Sequence, residues 1–285
     1  MSMWTDKVAV ITGAGSGIGA ALAKHCAMQG MHVVAADIDE PGLASTQQAI
    51  GDREQQTHIQ KVDVRDEHAV ESLAAFTFEQ FGQVNLLFNN AGVLVDCKTW
   101  ERSVEDWRWN FEVNVIGVVN GIRSFVPRML KQGAAGTIIN TASIGGLIGG
   151  GPFLAPYQGT KHAVVAITES LRGELCLEGD DITAACLCPG DTATGIWESE
   201  RHKVPAEQHE LGTNAERSFH DAVAGMCAAG FTPEQAAAAA FAGIEAGKFW
   251  LFPQPEFKEL FKPRVQHILD ETVPPSPAET MQAFL

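Results

Sequence analysis

A lone tyrosine, Tyr157, is followed four positions later by Lys161. The chain has 285 residues and uses fifteen phenylalanines and six tryptophans for aromatic packing, which indicates that this one phenol is kept for its hydroxyl. On a helix, residues i and i+4 share a face, so the ammonium is expected to stand beside the phenol and to lower its pKa. A phenol whose pKa lies near the working pH is an efficient general base. The pair alone is also compatible with an ordinary helical tyrosine beside a solvated lysine.

A glycine-rich turn is the second chemical signal. Residues 13–19, Gly-Ala-Gly-Ser-Gly-Ile-Gly, follow an apolar run that ends at Thr12 and precede a helical pattern. In such a turn, backbone N–H groups and the start of a helix bind phosphate. Asp37 closes the next apolar run, where a carboxylate binds both hydroxyls of an adenosine ribose and repels a 2′-phosphate. Because no Arg or Lys lies in the turn or directly after Asp37, the sequence predicts NAD and not NADP.

The elements that must position these residues alternate between short apolar runs and helical patterns. Six runs before residue 190 predict strands that are too apolar to have a solvent-facing side. They are Lys7–Thr12, His32–Asp37, His58–Asp63, Val84–Asn89, Gly136–Ala142 and Ile182–Cys188. Ser103 is expected to cap a long helix that reaches about Lys131. The alternation predicts an α/β fold, a doubly wound parallel sheet of about seven strands flanked by helices (Rossmann fold).

The whole chain, residues 1–285, is predicted to form a single domain. Residues 5–190 are expected to form the cofactor-binding and catalytic core. The alternation stops there, and the polar residues 191–230 are interpreted as a substrate lid, because a long insertion at the C-terminal edge of a parallel sheet usually covers a pocket. Residues 231–285 are expected to carry the last helix, the last strand and a C-terminal tail.

The acidic composition limits the classes of partner. The net charge is −15 and the pI is about 4.9, which argues against binding to nucleic acid or to an acidic membrane surface. No apolar run approaches the length of a membrane span and no signal peptide is recognisable, so a cytoplasmic protein is predicted. The six cysteines lack zinc spacing, and His202, His209 and His220 lie in a polar segment without supporting carboxylates. No metal site is therefore predicted.

Further motifs follow the glycine turn in a fixed order. They are Asp63-Val64, Asn89-Asn90-Ala91-Gly92, Asn114 within Val113–Gly117, Ser143, Tyr157 with Lys161, and Pro189-Gly190 with Thr192 and Thr194. Each motif is weak alone, but in this order and spacing the chain resembles the short-chain dehydrogenase/reductase superfamily. The resemblance covers about residues 5–195 and continues more loosely over 232–252.

The resemblance implies roles for individual residues. The catalytic group is expected to be Asn114, Ser143, Tyr157 and Lys161. The cofactor is expected to contact Gly13, Ser16, Gly17, Ile18, Gly19, Asp37, Asp63, Val64, Asn90, Ala91, Gly92, Tyr157, Lys161, Pro189, Gly190, Thr192 and Thr194. In the implied hydride transfer, Tyr157 moves the alcohol proton, Ser143 binds the substrate oxygen, and Asn114 holds a water that relays the proton. Members of the superfamily usually form homotetramers or homodimers.

The substrate is expected to be a hydrophobic secondary alcohol or ketone, of aryl, terpenoid or steroid-like structure. Candidate contacts are Ser143, Ile144, Phe153, Tyr157 and Trp197, and further candidate wall residues are Leu147, Leu154, Val204 and Leu211. Most of these side chains are apolar, which favours an apolar ligand. Two alternatives stay open: a hydroxysteroid dehydrogenase, and a dinucleotide-binding sensor or scaffold without turnover.

Overall fold

Seven parallel strands form one sheet in the computed structural model, which describes residues 2–51, 56–149, 151–179, 181–203 and 213–273. The strand order is β3-β2-β1-β4-β5-β6-β7. The strands are β1 (Val8–Thr12), β2 (His32–Asp37), β3 (Thr57–Lys61), β4 (Leu86–Asn89), β5 (Gly136–Thr141), β6 (Ile182–Leu187) and β7 (Trp250–Leu251). β1 pairs with both β2 and β4, so the direction of winding reverses there. Such a reversal opens a crevice at the carboxyl ends of the strands.

Helices cover both faces of the sheet, as predicted. They are α1 (Gly17–Met28), α2 (Glu40–Ile50), α3 (Glu67–Phe81), α4 (Val104–Phe111), α5 (Gly117–Met129), α6 (Ala155–Glu178), α7 (Asn214–Ala229), α8 (Pro233–Glu245) and α9 (Lys262–Leu269). Burial of apolar side chains gives two large core clusters, one containing Leu22 and Phe241 and the other containing Leu73 and Phe125, and a smaller one containing Val164. The predicted doubly wound α/β fold is confirmed.

The prediction that no strand has a solvent-facing side is wrong for β3. This strand lies at the sheet edge, where exposed Ile59 and Lys61 alternate with half-buried His58 and Gln60. An edge strand has a neighbouring strand on one side only, and its other side could pair with another chain. The charged Lys61 opposes such pairing. The other long strands, β1, β2, β5 and β6, are almost entirely buried.

The predicted long helix after Ser103 contains an irregularity. The Ser103 hydroxyl caps α4 by accepting from the Asp106 N–H at 3.1 Å. A π-helical turn, Glu112–Ile116, then joins α4 to α5, which ends at Met129. Single π turns inside helices occur frequently at functional sites, and this one contains Asn114.

The lid segment, residues 191–230, contains two helices within its described part. A 3₁₀ helix spans Gly195–His202, and α7 follows with a capping box between Thr213 and Glu216. Val204, His209 and Leu211 lie outside the described residues. Thr232 and Gln235 form a second capping box at the start of α8. No helix within the described ranges is long and apolar enough to cross a membrane.

Candidate active site

A cavity of about 460 Å³ opens at the carboxyl ends of the central strands. It is lined at one end by the glycine turn and Asp37, and at the other by Ser143, Tyr157 and Lys161. All the predicted cofactor and catalytic residues except Asn114 line this cavity. Two sets of residues that are far apart in the sequence therefore share one crevice.

The glycine turn fits closely against the loop after β4. Gly13 has φ +68, and a Cβ there would lie 2.7 Å from the Ala91 Cα, so a side chain is excluded at this position. The Thr12 hydroxyl accepts from the N–H groups of Asn90 at 2.9 Å and Ala91 at 3.2 Å. The Asn90 amide donates in return to the Thr12 carbonyl at 3.1 Å. These bonds fix the position of the glycine turn relative to the loop after β4.

Asp37 lies at the end of β2, where its carboxylate faces the glycine turn. One oxygen accepts from the Gly15 N–H at 2.8 Å and the other from the Asp39 N–H at 2.9 Å. His202 of the lid segment lies close enough to Asp37 for the carboxylate charge to raise the pKa of the imidazole slightly. Burial lowers the pKa of His202, so its ring is neutral at pH 7 and does not offset that charge.

The predicted Asp63-Val64 pair also lines the cavity. Burial alone raises the pKa of Asp63, but hydrogen bonds from Arg65 outweigh burial and the pKa lies below its usual range. The Arg65 guanidinium makes a bidentate contact whose shortest N–O distance is 2.6 Å. Val64 packs against Gly117, where an added Cβ would lie 2.7 Å from a valine methyl. Arg65 is thus committed to Asp63 and does not stand free beside the cavity.

Ser143 lies beside Tyr157, close enough for its hydroxyl to lower the pKa of the phenol. Ser143 lies two residues after the end of β5, and its Oγ accepts from the Gly145 N–H at 3.0 Å. Tyr157 and Lys161 stand one turn apart at the start of α6, as their spacing predicts. The Lys161 Nζ lies 5.6 Å from the centre of the Tyr157 ring and donates to the Thr141 carbonyl at 2.9 Å. The sheet and α6 therefore place three reactive side chains at one point.

The expected lowering of the Tyr157 pKa is not observed. Burial raises the pKa of Tyr157 to about 12, against a smaller opposite effect of the neighbouring Ser143 hydroxyl. Burial also lowers the pKa of Lys161 to about 8. The prediction is wrong because desolvation disfavours both charged forms, and because the ammonium bonds to a carbonyl and not to the phenol oxygen.

Asn114 is buried beneath the cavity, in the π turn. Its Oδ1 accepts from the Val93 N–H at 2.8 Å, and its Nδ2 donates to the Val93 carbonyl, to Asn110 and to Thr160 at 2.9 to 3.0 Å. These bonds tie the loop after β4 to α4 and α6. The amide hydrogens are used, so the side chain acts as a brace between these elements.

The turn after β6 is supported by the C-terminal residues. The Gly190 N–H donates to the Gln254 side chain at 3.0 Å, and an added Cβ at Gly190 would lie 2.2 Å from the Phe257 ring. Thr192 is buried and donates to the Gly190 carbonyl at 3.2 Å. Thr194 reaches the glycine turn, 3.1 Å from the position of an added Cβ on Gly17. Thr194, which the resemblance placed in the turn beside the nicotinamide, thus also contacts the glycine turn.

The predicted substrate walls are partly correct. Ile144, Leu154 and Trp197 line the cavity with Ser143 and Tyr157, whereas Phe153 and Leu147 do not. Phe153 packs edge-on against Phe219 at 5.3 Å, and Leu147 packs against a core cluster with Val164. Phe153 thus lies behind the wall, because its backbone turns with φ +66 and Phe219 occupies the wall position.

Sequence reasoning missed the contribution of α7 to the cavity. This helix presents Phe219, Ala222, Val223 and Met226 to the cavity. Their spacing is i, i+3, i+4 and i+7, the pattern of one helix face. That pattern was present in the sequence and identifies the wall.

A buried ion-pair network fastens the lid segment to the core. The Arg102 side chain is 1% exposed and bonds to Glu200 at 2.7 Å, to Asp106 at 3.3 Å and to the Asp96 carbonyl at 2.8 Å. Lys203 pairs with Asp106, and His220 of α7 bonds to Asp96 at 2.7 Å. The network joins the loop after β4, the start of α4 and both described helices of the lid segment.

Replacing Arg102 with methionine is expected to lower the free energy of unfolding by about 3 to 5 kcal/mol, because buried carboxylates lose their partner. Chemical denaturation monitored by circular dichroism measures this loss. Arg108→Met is the matched control, since Arg108 lies on α4 with 66% of its side chain exposed and makes only a surface pair. We expect the control to change stability by less than about 1 kcal/mol. Equal effects of the two substitutions would contradict a structural role for the network.

A possible metal cluster does not have the chemistry of a metal site. Cys97, Glu101 and Glu216 bring one ligand atom each within 4.8 Å of one another. The Cys97 thiol donates to Glu216 at 3.1 Å, and Glu101 pairs with Lys98 at 2.8 Å. Burial, with Glu216 beside it, raises the pKa of Cys97 to about 12, which disfavours the thiolate that a metal requires. Glu216 instead anchors α7 through the Lys98 N–H at 3.1 Å.

Comparison with known proteins agrees with this architecture. The family model for short chain dehydrogenases matches residues 7–205. A CLA biosynthesis dehydrogenase/reductase from Lactiplantibacillus plantarum is 30% identical over 279 residues, covering 96% of this chain and 97% of that protein. A 1-deoxy-11-beta-hydroxypentalenate dehydrogenase from Streptomyces exfoliatus is 39% identical over 190 residues, covering 66% of this chain and 68% of that protein.

A solved structure also agrees over nearly the whole chain. A short chain dehydrogenase/reductase from Burkholderia phymatum, in complex with NAD, superposes with a TM-score of 0.92 at 36% identity. The match covers 97% of this chain and 99% of that chain. With a parallel sheet in the strand order 3-2-1-4-5-6-7 and a family match over residues 7–205, this protein belongs to the short-chain dehydrogenase/reductase family of oxidoreductases.

Proposed function

We propose that the protein is an NAD-dependent oxidoreductase that interconverts a hydrophobic secondary alcohol and its ketone. The observation that carries this proposal is the pair of neighbouring hydroxyls of Ser143 and Tyr157, which shares a cavity with the glycine turn and Asp37. A cavity with a dinucleotide end and a hydroxyl pair beside it can hold an alcohol carbon against a nicotinamide. A dinucleotide sensor would have no use for the hydroxyl pair.

The side chains act on the substrate oxygen and its proton. NAD, when bound, supplies the hydride acceptor for oxidation, and NADH the donor for reduction. Tyr157 takes the alcohol proton in oxidation and returns it in reduction. Ser143 donates a hydrogen bond to the same oxygen and stabilises the charge that develops there. Lys161 binds the ribose hydroxyls on the nicotinamide side and favours the phenolate.

Burial opposes the phenolate that this mechanism needs. The raised pKa of Tyr157, about 12, means that Lys161 alone does not ionise the phenol. The positive charge of an oxidised nicotinamide beside the phenol favours its ionised form. We therefore expect the pKa of Tyr157 to fall when NAD binds. The proton relay through Asn114 stays a prediction. Because the side-chain amide hydrogens of Asn114 are already used, we expect the relay water to bind to its main chain.

A hydrophobic substrate is supported by the cavity wall that α7 provides, since Phe219, Val223 and Met226 are apolar. The relative from Streptomyces exfoliatus is named as a dehydrogenase of a hydroxylated compound. A panel of aryl, terpenoid, steroid and sugar alcohols, followed by NADH absorbance, tests the substrate class. Turnover confined to polyols or sugars would contradict it. A preference for steroids within the panel would favour the hydroxysteroid alternative.

NAD is proposed as the cofactor because of the Asp37 carboxylate and the neutral His202 near it. The related Burkholderia phymatum protein was solved in complex with NAD. We expect kcat/KM to favour NAD over NADP at least about tenfold, a difference of about 1.4 kcal/mol. Asp37→Ser is expected to remove most of this preference, because the charge that repels a 2′-phosphate is gone. Steady-state kinetics with both cofactors measures it.

Glu40→Gln is the matched control for Asp37. Glu40 carries the same charge at the start of α2, but its side chain is 63% exposed and pairs with Lys61 outside the cavity. The control is expected to keep the wild-type cofactor ratio. Comparable kcat/KM values for NAD and NADP in the wild type would refute the repulsion by Asp37.

A homotetramer or homodimer is proposed for the assembly, through α5 and α6. Ile116, directly before α5, is 45% exposed, and Phe111, which faces Gly159 of α6, is 37% exposed. A shallow groove between α5 and α6 is lined by Val119, Ile122 and Ile167. Apolar surface on paired helices suits contact with a second copy of the chain. A monomer in light scattering at micromolar concentration would contradict this assembly.

A further inference from the structure

One basic side chain of the cavity has no assigned role. Among the described residues, the arginines and lysines that line the cavity are Arg65, Lys161 and Arg201. Arg65 pairs with Asp63, and Lys161 donates to the Thr141 carbonyl. Arg201 is exposed in the 3₁₀ helix of the lid segment, and in the described part of the chain it pairs with no carboxylate. An unpaired guanidinium inside a cavity of a chain with net charge −15 is available to an anionic ligand.

The Arg201 guanidinium lies beside the glycine turn. Its Nη1 donates to the Gly195 carbonyl at 2.8 Å, and its Nη2 lies 3.3 Å from the position of an added Cβ on Gly195. The preceding residue, Thr194, contacts the turn itself, because its methyl lies 3.1 Å from an added Cβ on Gly17. Gly17 is the first residue of α1. The guanidinium is therefore placed next to the residue that touches the start of α1.

The backbone that carries Arg201 is fixed by its neighbours. The Ser199 hydroxyl is buried and accepts from the Leu94 N–H at 3.1 Å. Glu200 pairs with the buried Arg102 at 2.7 Å. Both partners lie in the loop after β4, so the residues directly before Arg201 are fastened to the core. A side chain presented by a fixed backbone loses less conformational freedom when it binds a ligand.

The start of α1 presents backbone N–H groups that no side chain caps. Ser16 is the N-cap residue, and its side chain makes no capping hydrogen bond. Ser16 and Gly17 both line the cavity. The first N–H groups of a helix carry partial positive charge and bind phosphate. The glycine turn itself contains no Arg or Lys, so a full positive charge against the diphosphate of a dinucleotide must come from elsewhere in the chain.

The chemistry of the guanidinium favours the diphosphate over the other groups of the cofactor. Arginine has five N–H donors in a planar fork that matches two phosphate oxygens, and the Gly195 carbonyl uses one donor of Arg201. The ribose hydroxyls of adenosine are neutral and are the expected ligands of Asp37. A 2′-phosphate at that ribose would be repelled by the Asp37 carboxylate.

We infer that Arg201 binds the diphosphate of the dinucleotide from the lid segment. This inference rests on the proposed function and adds a cofactor-binding residue that lies outside the glycine turn. The 3₁₀ helix that carries Arg201 also carries Trp197 of the cavity wall. The lid segment is then part of the cofactor site as well as of the substrate wall. Arg201 takes no part in proton or hydride transfer.

The test measures affinity by isothermal titration calorimetry, with NAD as the ligand and with ADP and adenosine as competitors, so it does not depend on turnover. Arg201→Gln is expected to raise the dissociation constants of NAD and ADP about tenfold, because each loses a charge-assisted hydrogen bond to phosphate. The dissociation constant of adenosine should not change. Arg201→Lys keeps the charge without the planar fork and should give intermediate values. The difference between the wild type and Arg201→Gln should shrink at high ionic strength.

Arg123→Gln is the matched control. It removes the same charge from α5, where the side chain is 69% exposed and lies outside the cavity, and it should leave all three affinities unchanged. Equal NAD and ADP affinities in Arg201→Gln and the wild type would overturn this inference and leave the proposed function standing. A loss confined to NADP would also overturn it, because the guanidinium would then serve a 2′-phosphate. A wild-type protein that binds neither NAD nor NADP would overturn both.

Discussion

Tyr157→Phe is expected to lower kcat for alcohol oxidation about a thousandfold. The substitution removes the hydroxyl that exchanges the substrate proton, and general acid–base catalysis of this kind contributes about 100- to 10,000-fold. The ring is retained, so its packing at the start of α6 should be unchanged. NADH absorbance under saturating alcohol measures kcat, and fluorescence titration measures NAD affinity. We expect the dissociation constant of NAD to change far less than kcat.

The lone tyrosine makes this prediction unusually direct to check. Tyrosinate absorbance in the near ultraviolet reports Tyr157 alone, because the chain has no other tyrosine. Without ligand, burial holds the pKa of Tyr157 at about 12, so the absorbance should not rise until the pH is well above 10. With NAD, the midpoint should move to lower pH. Equal kcat values for Tyr157→Phe and the wild type would end the catalytic assignment.

Lys161→Met is expected to lower kcat/KM by about a hundredfold or more, because the reaction loses a positioned positive charge. It should also alter how stability depends on pH. Burial lowers the pKa of Lys161 from 10.5 to about 8 in the folded protein. Between these pH values the unfolded chain binds more protons than the folded protein, so wild-type stability gains from rising pH.

The size of this effect follows from the pKa difference. A shift of about 2.5 units corresponds to about 3 kcal/mol, present as a penalty below pH 8 and relieved as the pH approaches 10.5. Stability relative to Lys161→Met should therefore rise from pH 7.5 to pH 10 by about 2 to 3 kcal/mol. The Thr141 carbonyl loses its donor in the variant, which adds an offset that does not vary with pH. Tyr157 is present in both proteins, so its titration cancels.

Urea denaturation at several pH values measures this difference. Lys131→Met is the matched control, since Lys131 is exposed beyond the end of α5. The control should show no added slope against the wild type over the same pH range. A wild-type stability that runs parallel to that of Lys161→Met would mean that the lysine is not desolvated as the structure indicates.

Local patterns predicted most of the site because its residues are set by short stretches of chain. The strand-turn-helix around residues 13–19, the i, i+4 spacing of Tyr157 and Lys161, and Ser143 at the end of β5 depend only on neighbouring residues. Parallel strands bring their carboxyl ends together, so these stretches converge without any further signal. The family resemblance added residue roles to these positions.

The wrong predictions concern properties that burial and long-range packing determine, such as a pKa or the lining of the cavity. The pKa of Tyr157 was predicted from one neighbouring charge, but desolvation by the whole surrounding protein dominates it. Phe153 looked like a wall residue, yet Phe219, 66 positions away in the sequence, takes that place. The contact between Asp191 and Cys227 likewise spans 36 positions and has no local pattern. The π turn at Asn114 has no recognisable sequence pattern.

The central claim is that Tyr157 and Ser143 support hydride transfer from a hydrophobic secondary alcohol to NAD. Alcohols that carry deuterium on the carbinol carbon test it, because mass spectrometry of the recovered cofactor reveals where that deuterium goes. The account predicts NADH that has gained one deuterium from at least one hydrophobic alcohol of the panel, and a gain slowed about a thousandfold in Tyr157→Phe. Recovery of NAD without deuterium from every alcohol of the panel, by a protein that binds NAD, would contradict it.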